Sequence, residues 1–160
     1  MRRNTQSYFQ TKRENDKKRL SGVKVKIINK AKHNFGLPCY ATKGSSGMDV
    51  RASLDEFEVI KPGRRKLIST GLFMEIPQGY EIQIRPRSGL SLKTSLRVAN
   101  APGTIDSNYR GEICVIVVNL SNDSVDIEDG EKIAQIEKFC YDKKSLEYNF
   151  MTIEEKRGEA

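Results

Sequence analysis

The chain has 160 residues, a formal net charge of +7 at neutral pH, and 37% hydrophobic residues. That length fits one domain large enough to fold without disulfide or metal staples. No apolar run approaches the ~20 residues of a membrane-spanning helix, and no apolar leader follows Met1, so a cytoplasmic, non-exported chain is expected.

The positive charge is unevenly placed. Residues 1–22 carry seven basic groups against two acidic ones, which accounts for five of the seven net charges. This stretch reads as a flexible, solvated N-terminal extension, with contact to nucleic acid the less favoured alternative. Cys39, Cys114 and Cys140 are far apart and odd in number, and His33 is the single histidine. That pattern supports neither a zinc site nor a disulfide framework.

Residues 23–140 read as a β domain. Val23-Lys-Val-Lys-Ile-Ile28 alternates like a half-buried strand. A loop with Gly36, Pro38 and Gly44 follows, then Met48-Asp-Val-Arg-Ala52. Phe57-Glu-Val-Ile60 is a short strand stopped by Pro62-Gly63. Lys66–Ile76 is strand material with Gly71 inside it, which predicts a bulge or bend. Tyr80-Glu-Ile-Gln-Ile-Arg85 alternates again. After Leu90 a short helical segment is expected, and then Leu96-Arg-Val98. Pro102-Gly103 opens a polar hairpin that leads into Ile113-Cys-Val-Ile-Val-Val118. The continuous apolar run predicts a strand buried on both faces, although period alone does not separate it from a buried helix segment. Val125–Ile127 and Ile133–Phe139 are further strands. Short strands at this spacing predict an all-β sandwich or jelly roll. Residues 141–160 form a polar C-terminal arm.

Four stretches carry chemistry. Arg87-Ser-Gly89 offers a guanidinium, a hydroxyl and an unencumbered backbone N–H just past a strand end, which suits a phosphate. The plain alternative is an ordinary turn. Asp49 follows a Gly-rich loop and could orient an arginine or a metal's water shell; alone it could simply cap a turn. Gln135 stands in Gly130-Glu-Lys-Ile-Ala-Gln135, at a turn entering a strand. The segment Asn100-Ala-Pro-Gly-Thr-Ile-Asp-Ser-Asn-Tyr-Arg-Gly-Glu112 holds one carboxylate, Asp106, and one ring, Tyr109, on a hairpin tied to the most apolar strand. Together, carboxylates and phosphate cradles without histidine or paired thiols suit Mg²⁺-dependent hydrolysis of a nucleoside triphosphate.

The chain resembles the trimeric dUTPase family over about Val23 to Gly158. Four motifs stand in order: Gly47-Met-Asp-Val-Arg-Ala52, Pro86-Arg-Ser-Gly-Leu90, Gly103-Thr-Ile-Asp-Ser-Asn-Tyr-Arg-Gly-Glu112 and Gly130-Glu-Lys-Ile-Ala-Gln135. The resemblance implies a jelly-roll-like homotrimer with active sites at subunit interfaces. It implies hydrolysis of dUTP to dUMP and pyrophosphate with Mg²⁺, held mainly through substrate phosphates and water rather than by direct protein ligands. Such an activity limits uracil in DNA and supplies dUMP for thymidylate synthesis. By motif match, Asp106 holds and activates the attacking water. Asn100 and the backbone of Gly103, Thr104 and Ile105 read the uracil edge, Tyr109 packs on the deoxyribose, and Cys114 lines the base pocket. Arg87, Ser88, Gly89 and Gln135 hold phosphates, with Asp49 in support.

Two positions depart from the family pattern. Relatives carry Gly where this chain has Ser95. Arg157-Gly158 resembles the opening of a fifth, Gly-rich motif, and the sequence ends at Ala160. In the family this motif caps the uracil and clamps the triphosphate through its arginine, so reduced turnover is an expectation. The alternative function is a catalytically impaired dUTP-binding or interaction protein on the same trimeric scaffold. The related dCTP deaminases share the fold but differ at the base-reading hairpin.

Overall fold

The computed structural model describes residues 24–140. The expected extension 1–22 and arm 141–160, with Arg157, lie outside the described residues. The described part is all-β with one short helix, as expected. The elements are β1 (Lys26–Asn29), β2 (Met48–Arg51), β3 (Glu58–Ile60), β4 (Arg65–Glu75), β5 (Tyr80–Arg85), α1 (Ser88–Lys93), β6 (Leu96–Val98), β7 (Gly103–Ile105), β8 (Glu112–Asn119), β9 (Val125–Ile127) and β10 (Lys132–Cys140). No helix among the described residues is long and apolar enough to cross a membrane.

Two four-stranded sheets carry the fold, in the orders β1-β4-β8-β6 and β2-β10-β5-β7, with β3 and β9 as a separate ribbon. Every named pairing is antiparallel. Alternation directs one face of each strand inward, as the pleat requires. Val50, Ile68, Leu72, Ile82, Ile84, Leu96, Ile113, Val115, Val117, Ile133 and Ile136 meet between the sheets and are almost fully buried. Ile60 and Ile127 close the core from the ribbon.

Three expectations need correction. The helix starts at Ser88, inside the Arg87-Ser-Gly89 stretch rather than after Leu90. Gly103–Ile105 is a strand rather than only part of a hairpin turn, because it pairs with β5. The apolar run 113–118 is buried on one face only. Ile113, Val115 and Val117 enter the core, whereas Cys114 and Val118 are half-buried and Ile116 is 36% exposed. Opposite Ile116, Leu67 is 64% exposed. Both faces are apolar in sequence, but a single copy covers only one of them.

The expected bulge is present in β4. Ser69 opposes Cys114 and Leu72 opposes Ile113, so Thr70 and Gly71 are extra. Gly71 has φ +67°, and a Cβ there would stand 2.4 Å from the Ala31 nitrogen, so only glycine fits. Its N–H donates to Glu112 Oε1 at 2.8 Å, and its carbonyl accepts from Lys30 N–H at 2.7 Å. The bulge therefore fastens the start of β8 to the end of β1.

Asn119 closes the other end of β8. It is fully buried and fully used. Its Nδ2 donates to the carbonyls of Ile60 (2.8 Å) and Asp123 (2.7 Å), while Oδ1 accepts from Ser95 Oγ, Ser121 N and Ser121 Oγ. Ser95 is thus absorbed by this network. Asn119→Ala leaves the buried Ile60 carbonyl without this donor, costing about 1–3 kcal/mol, and removes the acceptor of the half-buried Ser95 hydroxyl. Chemical denaturation should show a loss of at least about 2 kcal/mol; an unchanged midpoint would mean that water replaces the amide.

Candidate active site

Strand β10 assembles one half of the site because it pairs on both sides. Gln135 faces Asp49 of β2 on one side and Arg85 of β5 on the other. The Gln135 Nε2 donates to the Pro86 carbonyl at 3.0 Å, which pins the turn between β5 and α1. Arg87 follows that turn. Its Nε donates to Asp49 Oδ1 at 2.7 Å and its Nη1 to the Lys132 carbonyl at 3.2 Å. Lys132 Nζ lies 2.8 Å from Asp49 Oδ2. Partial burial works to raise the pKa of Asp49. Hydrogen bonds from Lys132 and Arg87, with their charges, outweigh it and hold the carboxyl below its ordinary value. Asp49 is therefore an anion fixed between two cations.

Ser88 and Gly89 are exposed at the start of α1. The first intrahelical bond runs from Ser91 N–H to the Arg87 carbonyl, so the N–H groups of Ser88 and Gly89 stay outside the helical ladder. Arg87, Ser88, Gly89, Gln135 and Asp49 thus come together around one turn.

The other half of the site is built by the hairpin. Ala99 N–H donates to the Ile116 carbonyl at 2.8 Å, one step beyond β6. That step brings the Asn100–Pro102 turn to the level of Cys114 and Val115. Here the Ala101–Pro102 peptide is cis. Gly103 is buried opposite Ile84, Thr104 faces Gln83 and Ile105 faces Ile82. Asp106 is exposed just past this strand, and its carboxylate has no hydrogen-bond or ion-pair partner among the described residues. Its carbonyl accepts from Tyr109 N–H at 3.1 Å, which turns the chain. Burial and then the charge of Glu112 push the Cys114 thiol up, away from the thiolate form.

The Tyr109 ring lies back over Gly111. Its hydroxyl donates to the Glu112 carbonyl at 2.8 Å, while the residue stays 43% exposed. A Cβ on Gly111 would stand 2.5 Å from Tyr109 Oη and 2.7 Å from Cζ. Glu112 itself accepts from Ser69 Oγ and from the N–H of Gly71. The hairpin base is thereby tied to the β4 bulge.

The two halves lie toward opposite ends of β5. Ile105 opposes Ile82, so Asp106 falls level with Glu81, whereas Arg87 follows Arg85 at the other end of β5. Four residues of strand separate those levels by roughly 13 Å, at about 3.3 Å per residue. Sequence reasoning singled out neither Lys132 nor Glu112 as a site residue. Both are charged residues inside recognised motifs, each within two positions of a motif glycine, and that was the available clue.

The dUTPase family model matches residues 33–159, a span containing all four motifs. The chain belongs to the dUTPase family. Among relatives, the deoxyuridine 5'-triphosphate nucleotidohydrolases of Finegoldia magna and Aquifex aeolicus are each 56% identical over 114 residues. That overlap is 71% of this chain and 78% and 75% of theirs. The dUTPase of Staphylococcus bacteriophage 80alpha, solved with dUPNHPP, superposes with a TM-score of 0.65 at 25% identity, covering 73% of this chain and 82% of that one. A phage phi11 dUTPase of S. aureus, described with a coordinated structural Mg(II) ion, shares the fold at 22% identity and a TM-score of 0.66, over 74% and 91% of the two chains.

Gly111→Ala tests how the ring is held. The added methyl must displace the exposed Tyr109 ring and break its bond to Glu112, a hydrogen bond contributing about 0.5–1.5 kcal/mol. A crystal structure of the variant should show the ring rotated away and the melting point lowered. A ring in its original position would contradict this packing.

Proposed function

We propose that this chain hydrolyses dUTP to dUMP and pyrophosphate, with Mg²⁺, at sites completed where copies of the chain meet as a homotrimer. The observation that carries the reading is the hairpin from Gly103 to Glu112. It presents one unpartnered carboxylate, Asp106, beside one ring held by its own backbone. Supporting it are the 56% identity to relatives named for this activity and the cationic turn around Arg87.

The chemistry follows from these groups. A water oxygen attacks the α-phosphorus, a new P–O bond forms, and the bond from the α-phosphorus to the α–β bridging oxygen breaks. Pyrophosphate carries away the released electron pair. Asp106 orients the water and takes its proton, an assistance worth typically ~10²–10⁴ in rate. Arg87, the N–H groups of Ser88 and Gly89, and Gln135 hold the phosphates in line, and positioning contributes the larger share. Asn100 and the backbone of Gly103, Thr104 and Ile105 read the uracil edge. The Tyr109 ring packs on the sugar and leaves no room for a 2′-hydroxyl. Cys114, beneath the Asn100–Pro102 turn, supports the base pocket as a neutral thiol.

The donor set fits a hard cation held largely by its ligand's phosphates and water. Asp49 is occupied by two cations, which leaves Asp106 as the free carboxylate, and no cluster of three or more metal-ligating side chains occurs among the described residues. When bound, Mg²⁺ supplies neutralisation of the triphosphate charge.

Two features support assembly. Asp106 and Arg87 stand at opposite ends of β5, so one chain supplies each residue to a different neighbour. The outer face of β4 and β8, with Leu67, Cys114, Ile116 and Val118, gives copies an apolar surface on which to pack.

Pyrophosphate release with Mg²⁺, compared across dUTP, dTTP, dCTP and UTP, tests the reading. Release from dUTP alone is expected, and Asp106→Asn should lose ~10²–10⁴ of the rate while still binding dUTP by calorimetry. Comparable turnover of dTTP, or an active Asp106→Asn variant, would contradict it.

A further inference from the structure

Two cations and one carboxylate meet where β2, β10 and the turn before α1 converge. Lys132 touches Arg87 twice: through Asp49, which binds both at 2.7 and 2.8 Å, and through its own carbonyl, 3.2 Å from Arg87 Nη1. Among the described residues no other acid pairs with Arg87 or Lys132. The trio carries a formal charge of +1. Without Lys132 it would be a neutral pair, with the arginine facing a carboxylate of its own.

That difference matters for a polyanion. Two of the five guanidinium N–H donors of Arg87 are used inward, toward Asp49 and Lys132, which leaves the others for a ligand. The side chains of the trio are 27–39% exposed, so pairs like these add little to folding stability. Their consequence lies in the local potential, which a neutral pair would largely abolish.

We propose that Lys132 is a positioning residue of the phosphate subsite, occupying Asp49 so that Arg87 keeps its outward donors and the turn keeps a net positive charge for a triphosphate. This rests on the function proposed above. Sequence spacing hides the role. Lys132 and Gln135 are three residues apart and should face opposite sides of a regular strand, but a register shift between Lys132 and Ala134 changes the phase. The shift turns Ile133 into the core and leaves Lys132 beside Asp49.

The test compares the unaltered chain with Lys132→Met and Lys132→Arg, measuring dUTP kinetics over a range of salt, tripolyphosphate binding by calorimetry, and melting temperature. Lys132→Met should raise KM for dUTP by about tenfold, more than it lowers kcat, and should flatten the salt dependence of KM. Tripolyphosphate binding should weaken in parallel, the melting temperature should move little, and Lys132→Arg should restore both affinities. Lys132→Gln repeats the comparison should the methionine variant fold poorly. Unchanged KM, salt dependence and tripolyphosphate affinity in Lys132→Met would overturn the proposal, as would a Lys132→Arg variant equally impaired. If the unaltered chain releases no pyrophosphate from dUTP, the functional reading fails. The role of Lys132 is then judged by tripolyphosphate binding alone.

Discussion

The double pairing of β10 is the constraint on which the site depends. A strand bonded on both sides cannot slide without breaking two ladders, and a slip of one residue would reverse every side chain. With β10 fixed, Gln135 stands between Asp49 and Arg85 and reaches the Pro86 carbonyl. Arg87 then emerges where Asp49 and the Lys132 carbonyl can hold it. The same pairing fixes β5, and β5 fixes the register of β7. The Arg87 turn and the Gly103–Glu112 hairpin are therefore set by one ladder, toward opposite ends of it.

A second tie runs through the other sheet. The Thr70–Gly71 bulge donates to Glu112, and the Glu112 carbonyl in turn accepts the Tyr109 hydroxyl. The Tyr109 ring is thus anchored to the bulge through a single residue. Thr70 Oγ1 donates to the Ile113 carbonyl just beyond it, so the start of β8 is held by side chain and backbone together. Rigid strands on both sides allow a hairpin of mostly exposed residues to keep one geometry.

Much of this was legible in the sequence. Alternation in Tyr80–Arg85 marked β5 to the residue, and Gly71 inside an apolar stretch marked the bulge. The motifs singled out the candidate site residues, because each combines a turn glycine with a charged or polar side chain. What could not be read depends on pairing. Continuous apolarity in 113–118 made both faces look buried, since hydropathy does not say whether the covering layer belongs to the same chain. The strand at Gly103–Ile105 is too short and too rich in turn residues to stand out before β5 is known to pair with it. The position of Lys132 beside Asp49 depends on a register shift, which residue spacing does not encode. The distance between Asp106 and Arg87 likewise follows from topology alone.

That distance is the centre of the account: in the proposed homotrimer, one chain supplies the hairpin half of each site and a neighbour supplies the Arg87 half. The most direct test mixes two inactive variants, Asp106→Asn and Arg87→Ala, after denaturing and refolding them together. A shared site predicts that dUTP hydrolysis returns in the mixture and in neither variant alone, because one chain supplies Asp106 and another supplies Arg87. A mixture as inactive as its parts, with mixed oligomers confirmed by mass spectrometry, would contradict the account and mean that both residues act within a single chain.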